Sequence, residues 1–154
     1  MKDFDKIKKE YGNCHSMVDP IKKILLKHPK DAFKDQETIN KQCSGLNYFK
    51  SPNFNKSMSD YDQFVDLLIS FGIEIYFLPE DTSTSIDSIY THDPCVVSNN
   101  GVILCNMGKK ARAPETNAME SYFKSIQIPI IGKIKESGTL EGGDIVWIDE
   151  KTIA

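Results

Sequence analysis

Residues 95–107 read Cys-Val-Val-Ser-Asn-Asn-Gly-Val-Ile-Leu-Cys-Asn-Met. Two apolar runs, Val96-Val97 and Val102-Ile103-Leu104, flank Asn99-Asn100-Gly101, and an Asn-Gly pair so placed suits a hairpin turn of type I′. A helix is expected next: Pro114 favours a first helical turn, and Ala118, Met119, Tyr122, Phe123 and Ile126 recur at helical spacing. The apolar stretch Ile128 to Ile131 closes the pattern as a strand. Hairpin, helix and strand in this order mark an α/β chain.

Upstream, Ile21 to Lys27 is a short apolar run that His28-Pro29 ends, and it reads as a strand. Lys30 to Met58 is polar, with Gly45, Ser51-Pro52-Asn53 and several Asn, so it reads as loop with one short helical turn, a lid or rim. Ser59 and Asp62 form a start resembling a capping box, and Phe64, Leu67, Leu68 and Phe71 share one helical face before Gly72. Ile73 to Leu78 is β-branched and aromatic and ends at Pro79. Strand, helix and strand there make a crossover unit with a parallel sheet.

Downstream, Glu141-Gly142-Gly143-Asp144 leads into the apolar run Ile145-Val146-Trp147-Ile148, which has the look of a buried strand. After a turn at Asp149-Glu150, Thr152-Ile153-Ala154 reads as a strand just beginning. A chain ending there would leave backbone groups unpaired along that edge, so the sequence is expected to be cut short.

A length of 154 residues suits one domain, and 40% apolar against 27% charged residues predicts a real core. With a formal charge of -3 and mixed signs, nucleic acid and membrane are unfavoured partners, and small molecules are expected. Met1 to Glu10 carries seven charged residues and no apolar run, and no stretch approaches the roughly 20 residues that span a bilayer, which reads as cytoplasmic. Cys14, Cys43, Cys95 and Cys105 lack the spacing of a zinc site and read as free thiols, none placed like a catalytic one.

Three stretches could carry chemistry. Asp93 precedes Pro94, so its backbone is expected to be extended, and its carboxylate can point into a cleft and accept the paired hydrogen bonds of a guanidinium; alone, a turn or strand-start Asp is the simpler reading. In Glu141-Gly142-Gly143-Asp144 the glycines permit close backbone approach, and a carboxylate anchored there could orient a histidine; alone, it is an acidic turn. In Gly108-Lys109-Lys110-Ala111-Arg112 with Glu115, Arg112 could pair with a substrate carboxylate or belong to a solvated basic patch, and the stretch lacks the spacing of a phosphate loop. His15 and His28 read as surface or packing residues, with no acid at coordinating spacing. Neighbours on an extended segment face opposite ways, so at most one of His92 and Asp93 is expected to face a given cleft, and Asp93 is taken as that residue.

Taken in order, Ser16-Met17-Val18 with Ile21 to Pro29, Tyr90-Thr91-His92-Asp93-Pro94, Met107-Gly108-Lys109 with Arg112 and Glu115, and Gly138-Thr139-Leu140-Glu141-Gly142-Gly143-Asp144 form a series. It resembles the dimethylarginine dimethylaminohydrolase and amidinotransferase family, within the guanidino-group-modifying superfamily that includes arginine deiminases. The resemblance implies a five-bladed α/β propeller of ββαβ units, of which residues 1–154 form the N-terminal portion, Cys95 to Ile131 fitting one blade. It implies that Asp93 binds the guanidinium, that Glu141 pairs with a catalytic histidine, and that Arg112 lies where relatives bind the substrate carboxylate. Some relatives have Arg where this chain has His92.

The activity so implied is hydrolysis of the guanidino group of arginine or a methylated arginine to citrulline and an amine, with no metal or organic cofactor. A thiolate attacks the guanidinium carbon, and a histidine protonates the leaving amine and later activates water. Both groups are expected beyond Ala154, which would make this chain inactive alone. Amidino transfer to an amine and a non-catalytic binding module on the same fold are the rival readings. Open strand edges would also invite a separate C-terminal half or a second copy of the chain.

Overall fold

The computed structural model describes residues 11–154, and the charged opening stretch lies outside them. Strand β1 (Lys23–Leu26) pairs in parallel with β2 (Glu74–Phe77), register running from Lys23↔Glu74 to Leu26↔Phe77. Both are four-residue cores of the longer runs read from sequence. A parallel pair demands a long crossover. Here it holds helices α1 (Pro29–Ala32), α2 (Gln36–Gln42) and α3 (Phe54–Ser70), with a 3₁₀ turn at Ser44–Leu46.

The expected loop over Lys30 to Met58 is therefore mostly helical, and polar caps are the reason. Asp35 accepts from the Thr38 N–H at 2.7 Å, and Asn53 accepts from the Lys56 N–H at 2.8 Å. Each satisfies a helix-end donor that would otherwise be orphaned. Gln36 ties the ends together, donating to the Pro52 carbonyl at 3.0 Å and accepting from the Phe54 N–H at 2.9 Å. Beneath these caps, Ala32, Phe33, Ile39, Cys43, Leu46 and Ile86 make one small core.

Helix α3 begins at Phe54, so Ser59 and Asp62 are interior positions and Asn53 is the cap. Of the expected stripe, Phe64, Leu67 and Phe71 are exposed and only Leu68 turns partly inward. The protein-facing side is Met58, Tyr61, Val65 and Leu68, one step around the helix. Tyr61 packs edge-on against His28, whose Nε2 meets Asp62 at 3.0 Å. His28 thus has a packing role, and its acid comes from 34 residues away.

Strands β3 (Cys95–Ser98) and β4 (Gly101–Leu104) are antiparallel, and β5 (Ile130–Lys133) lies parallel on the far side of β4. With α4 (Ala113–Ser125) between β4 and β5, this is one ββαβ unit. The hairpin exists, but its turn is not type I′. Ser98 pairs with Gly101, so Asn99-Asn100 are the central residues, and neither has the positive φ that type requires. Gly101 carries the positive φ instead, at +138°, and a Cβ there would stand 2.3 Å from the Pro129 carbonyl oxygen, which accepts from the Val102 N–H at 2.9 Å.

Ala118, Met119 and Phe123 of α4 are buried as the periodicity predicts, Met119 and Phe123 packing with Leu78, Cys95, Val102 and Leu104. Strand β5 starts two residues later than read, because Gln127 takes a left-handed turn (φ +61°) and Ile128 still bonds back to the Phe123 carbonyl at 2.9 Å.

The last segment is also corrected. Val146 and Ala154 exchange backbone hydrogen bonds at 2.8 and 3.0 Å, and the Ile148 N–H reaches the Thr152 carbonyl at 3.0 Å. Residues 152–154 thus pair back on 146–148, while Val146 and Ile148 are exposed, so the run is not a buried strand. No helix among the described residues is long and apolar enough to cross a membrane.

Candidate active site

The candidate residues lie on three turns that pack on one another. The turn at 91–94 leads into β3, and the Pro94 carbonyl accepts from the Cys105 N–H at 2.9 Å. The second is a 3₁₀ turn, Lys110–Arg112, which opens α4. The third, at Gly142–Asp144, docks on the first: the Gly142 N–H donates to the Asp93 carbonyl at 2.8 Å. A Cβ on Gly142 would fall 2.1 Å from the His92 carbonyl oxygen, so only glycine permits this approach. Asp93 sits in a turn and not on extended backbone, yet it does face inward while His92 is exposed.

Arg112 is the hub. Its Nε donates to both Glu115 oxygens, at 3.0 and 3.2 Å, and NH2 to Glu115 Oε2 at 2.8 Å. NH2 also reaches the Tyr90 and Asp87 carbonyls, at 3.2 and 3.5 Å. NH1 lies 2.7 Å from Asp93 Oδ2 and 3.9 Å from Glu141 Oε2, so the two carboxylates singled out by sequence address one nitrogen. The solvated-patch reading of Arg112 fails, since the residue is 6% exposed. Both of its paired donor edges are engaged within the chain.

Burial opposes the Arg112 charge, but its hydrogen bonds to Glu115 and Asp93 outweigh burial and hold the guanidinium above its ordinary pKa. Burial pushes the Glu115 carboxyl upward, and Arg112 works against that shift. Three contacts join the two groups, the paired geometry in which a guanidinium holds a carboxylate best. Glu141 is held by the Gly108 N–H at 3.1 Å, and its own N–H donates to Asp144 at 3.0 Å.

A cleft of about 380 Å³ opens here, lined by Leu46, Asn47, Tyr48, Phe49, Asp87, Tyr90, Lys109, Arg112 and Glu141. Asp93 does not line it directly and joins through Arg112. Lys109 donates to Asp87 at 2.6 Å and to the Leu46 carbonyl at 2.9 Å. The Tyr48 hydroxyl is buried without a hydrogen bond of good geometry. Its pKa is driven far up, by burial first and then by Tyr90 and Asp87.

A larger cavity, about 610 Å³, lies between the two sheets among Ile24, Tyr76, Val102 and Phe123. Among the described residues no carboxylate lines it, so the smaller cleft is the candidate.

Sequence reasoning missed Tyr48, Asp87 and Tyr90 as cleft residues, and named Lys109 only within a basic stretch. Asp87 arrives through a 3₁₀ turn, Ile86–Ile89, whose start is capped by Ser85. Tyr48 arrives through the capped crossover. Neither has a spacing signal that links it to Arg112.

The model of the family described as N,N dimethylarginine dimethylhydrolase, eukaryotic, matches residues 29–154. A dimethylarginine dimethylaminohydrolase of Pseudomonas aeruginosa is 24% identical over 99 residues, 64% of this chain and 39% of the relative. An arginine deiminase of Listeria monocytogenes serotype 4a is 30% identical over 134 residues, 79% of this chain and 28% of the relative.

Among solved structures, a dimethylarginine dimethylaminohydrolase adduct with 4-chloro-2-hydroxymethylpyridine superposes with a TM-score of 0.63 at 22% identity, covering 80% of this chain and 44% of that one. The Pseudomonas aeruginosa enzyme as a cysteine-to-serine mutant complexed with citrulline gives 0.62 at 22% identity, covering 80% and 46%. The mixed α/β fold is shared, and this chain spans less than half the length of each of these relatives. On the family match across 29–154, the chain belongs to the eukaryotic N,N dimethylarginine dimethylhydrolase family.

Proposed function

We propose that the chain supplies the guanidinium-holding face of an amidine hydrolase acting on arginine or a methylated arginine, residues 1–154 being the N-terminal portion of one five-bladed α/β propeller. One observation carries this reading: four carboxylates, Asp87, Asp93, Glu115 and Glu141, gather around two cations, Lys109 and Arg112. Asp87 is matched by Lys109 and Glu115 by an edge of Arg112. Asp93 shares the Arg112 guanidinium with Glu115, and Glu141, 3.9 Å from it on a separate turn, adds a further negative charge beside the cleft. Such an arrangement favours a flat cation with paired N–H donors over an anion or a neutral ligand.

In this mechanism Asp93 and Glu141 hold the guanidinium flat and polarised, Arg112 fixes the two carboxylates, and a thiolate attacks the central carbon. A histidine paired with Glu141 protonates the leaving amine and then activates water to release citrulline. None of the four cysteines here suits the thiolate role. Burial pushes Cys95 up to about 12, and Cys105 is pushed up to about 11 by burial and then by Asp93, Glu141 and Asp144. Burial likewise raises Cys14, and Cys43 is buried. This supports the reading in which the thiolate is supplied from outside these residues.

Calorimetric titration with L-arginine and dimethylarginine tests the reading. Heat of binding with at least one is expected. No heat with either, or citrulline formed by this chain at an enzyme-like rate, contradicts it.

A further inference from the structure

We infer that Lys109, and not Arg112, recognises the α-carboxylate of the substrate, so that the cleft selects a free guanidino amino acid over a guanidino amine without that carboxylate. The inference rests on the guanidinium reading above and sharpens it.

The contrast between the two cations is geometric. A carboxylate binds a guanidinium best across two parallel N–H donors. On Arg112 the Nε/NH2 edge is filled by Glu115, and the NH1/NH2 edge by Asp93 and the Tyr90 carbonyl. Turning it toward a ligand would strand Glu115, 2% exposed, as an unpaired buried charge. Arg112 is a positioning residue.

Lys109 is also tied to a buried carboxylate, Asp87, but it need not leave that partner to meet a ligand. Its side chain is 34% exposed and lines the same cleft as Glu141. An ammonium has three donors, and the two contacts to Asp87 and the Leu46 carbonyl use two of them. The third is uncommitted among the described residues, and a compact point charge can take one carboxylate oxygen without a fixed edge. The buried Tyr48 hydroxyl lies beside Asp87 and Tyr90 without a hydrogen bond of good geometry, at the same cleft. One cavity thus joins the Glu141 carboxylate to a Lys109 ammonium that keeps one N–H donor beyond its bonds to Asp87 and Leu46. A ligand with a guanidinium at one end and a carboxylate at the other matches that polarity.

The rival is purely structural: Lys109 ties Asp87 to the segment at Leu46 and touches no ligand. Titrating the protein with L-arginine and with agmatine, which is arginine without its carboxylate, separates them. The wild type is expected to prefer arginine by about tenfold or more, the size of one charge-assisted hydrogen bond. Lys109→Met should erase the preference by weakening arginine alone, and Lys109→Arg should keep it. If the Met variant does not fold, Lys109→Gln replaces it, keeping a donor to Asp87 without the charge.

Equal binding of both ligands to the wild type overturns the inference, as does a preference that survives loss of the cation. Equal weakening of both ligands in Lys109→Met assigns the structural role and also overturns it. Agmatine binding upholds the guanidinium reading whatever Lys109 does. Failure of both ligands to bind brings down that reading and this one together.

Discussion

The crossover unit of residues 23–77 and the ββαβ unit of residues 95–133 meet the same demand, covering a strand pair with helix, by different means. In the second, α4 buries Ala118, Met119 and Phe123 against the sheet, and apolar burial does the work. In the first, α3 runs for 17 residues and buries none of them. Its position is set by the Asn53 cap, the Gln36 clasp and the edge contact of Tyr61 with His28. Helix α4 is thus held by the core of its unit and α3 largely by its joints, the small core of the first unit lying under α1 and α2 instead.

Perturbing the hub should have the largest effect. Arg112→Met leaves Glu115 and Asp93 without their cation and should cost about 3–5 kcal/mol in urea unfolding, as for other broken buried pairs. A loss below about 1 kcal/mol would mean that the cluster is not buried as described. Within the second unit, Met119→Ala removes a fully buried side chain and should cost about 2–5 kcal/mol by the same measurement.

The first unit should respond at its joints. Asn53→Ala is expected to cost about 1 kcal/mol, whereas Ser59→Ala, inside the helix, should change thermal stability little. The reverse order would restore Ser59 as the helix start. Smallest of all, Leu67→Ala on the exposed side of α3 should stay within about 0.5 kcal/mol of the parent. A loss comparable to Met119→Ala would show that this apolar face is covered in solution, and the contrast between the units would disappear.

The same contrast governs what the sequence discloses. Val96, Val102, Leu104, Met119 and Phe123 could be read as hairpin and helix because burial imposes a period, and the structure departs at the turn type and at both ends of β5. Helices α1 and α2 were illegible because four and seven residues are too short to show a period, and their signals are single caps. The exposed apolar residues of α3 misled the reading by one step around the helix.

At the site, Asp93, Glu141 and Arg112 could be named from motifs, and the structure brings all three to one nitrogen. That Arg112 is buried could not be read, since Lys109-Lys110-Ala111-Arg112 looks like a solvated run. Glu115, three residues on, takes it inside. Asp87 and Tyr48 reach the cleft only through tertiary packing, and local spacing carries no trace of that.

The central claim is that Asp93 and Glu141 act together on one flat cation. A double-mutant cycle of Asp93→Asn and Glu141→Gln, read as the affinity for L-arginine with thermal melts to confirm folding, tests it directly. Each variant should weaken binding by about tenfold or more, with the double variant falling short of the product because the two share a ligand group. Folded variants that bind arginine as tightly as the parent would contradict it.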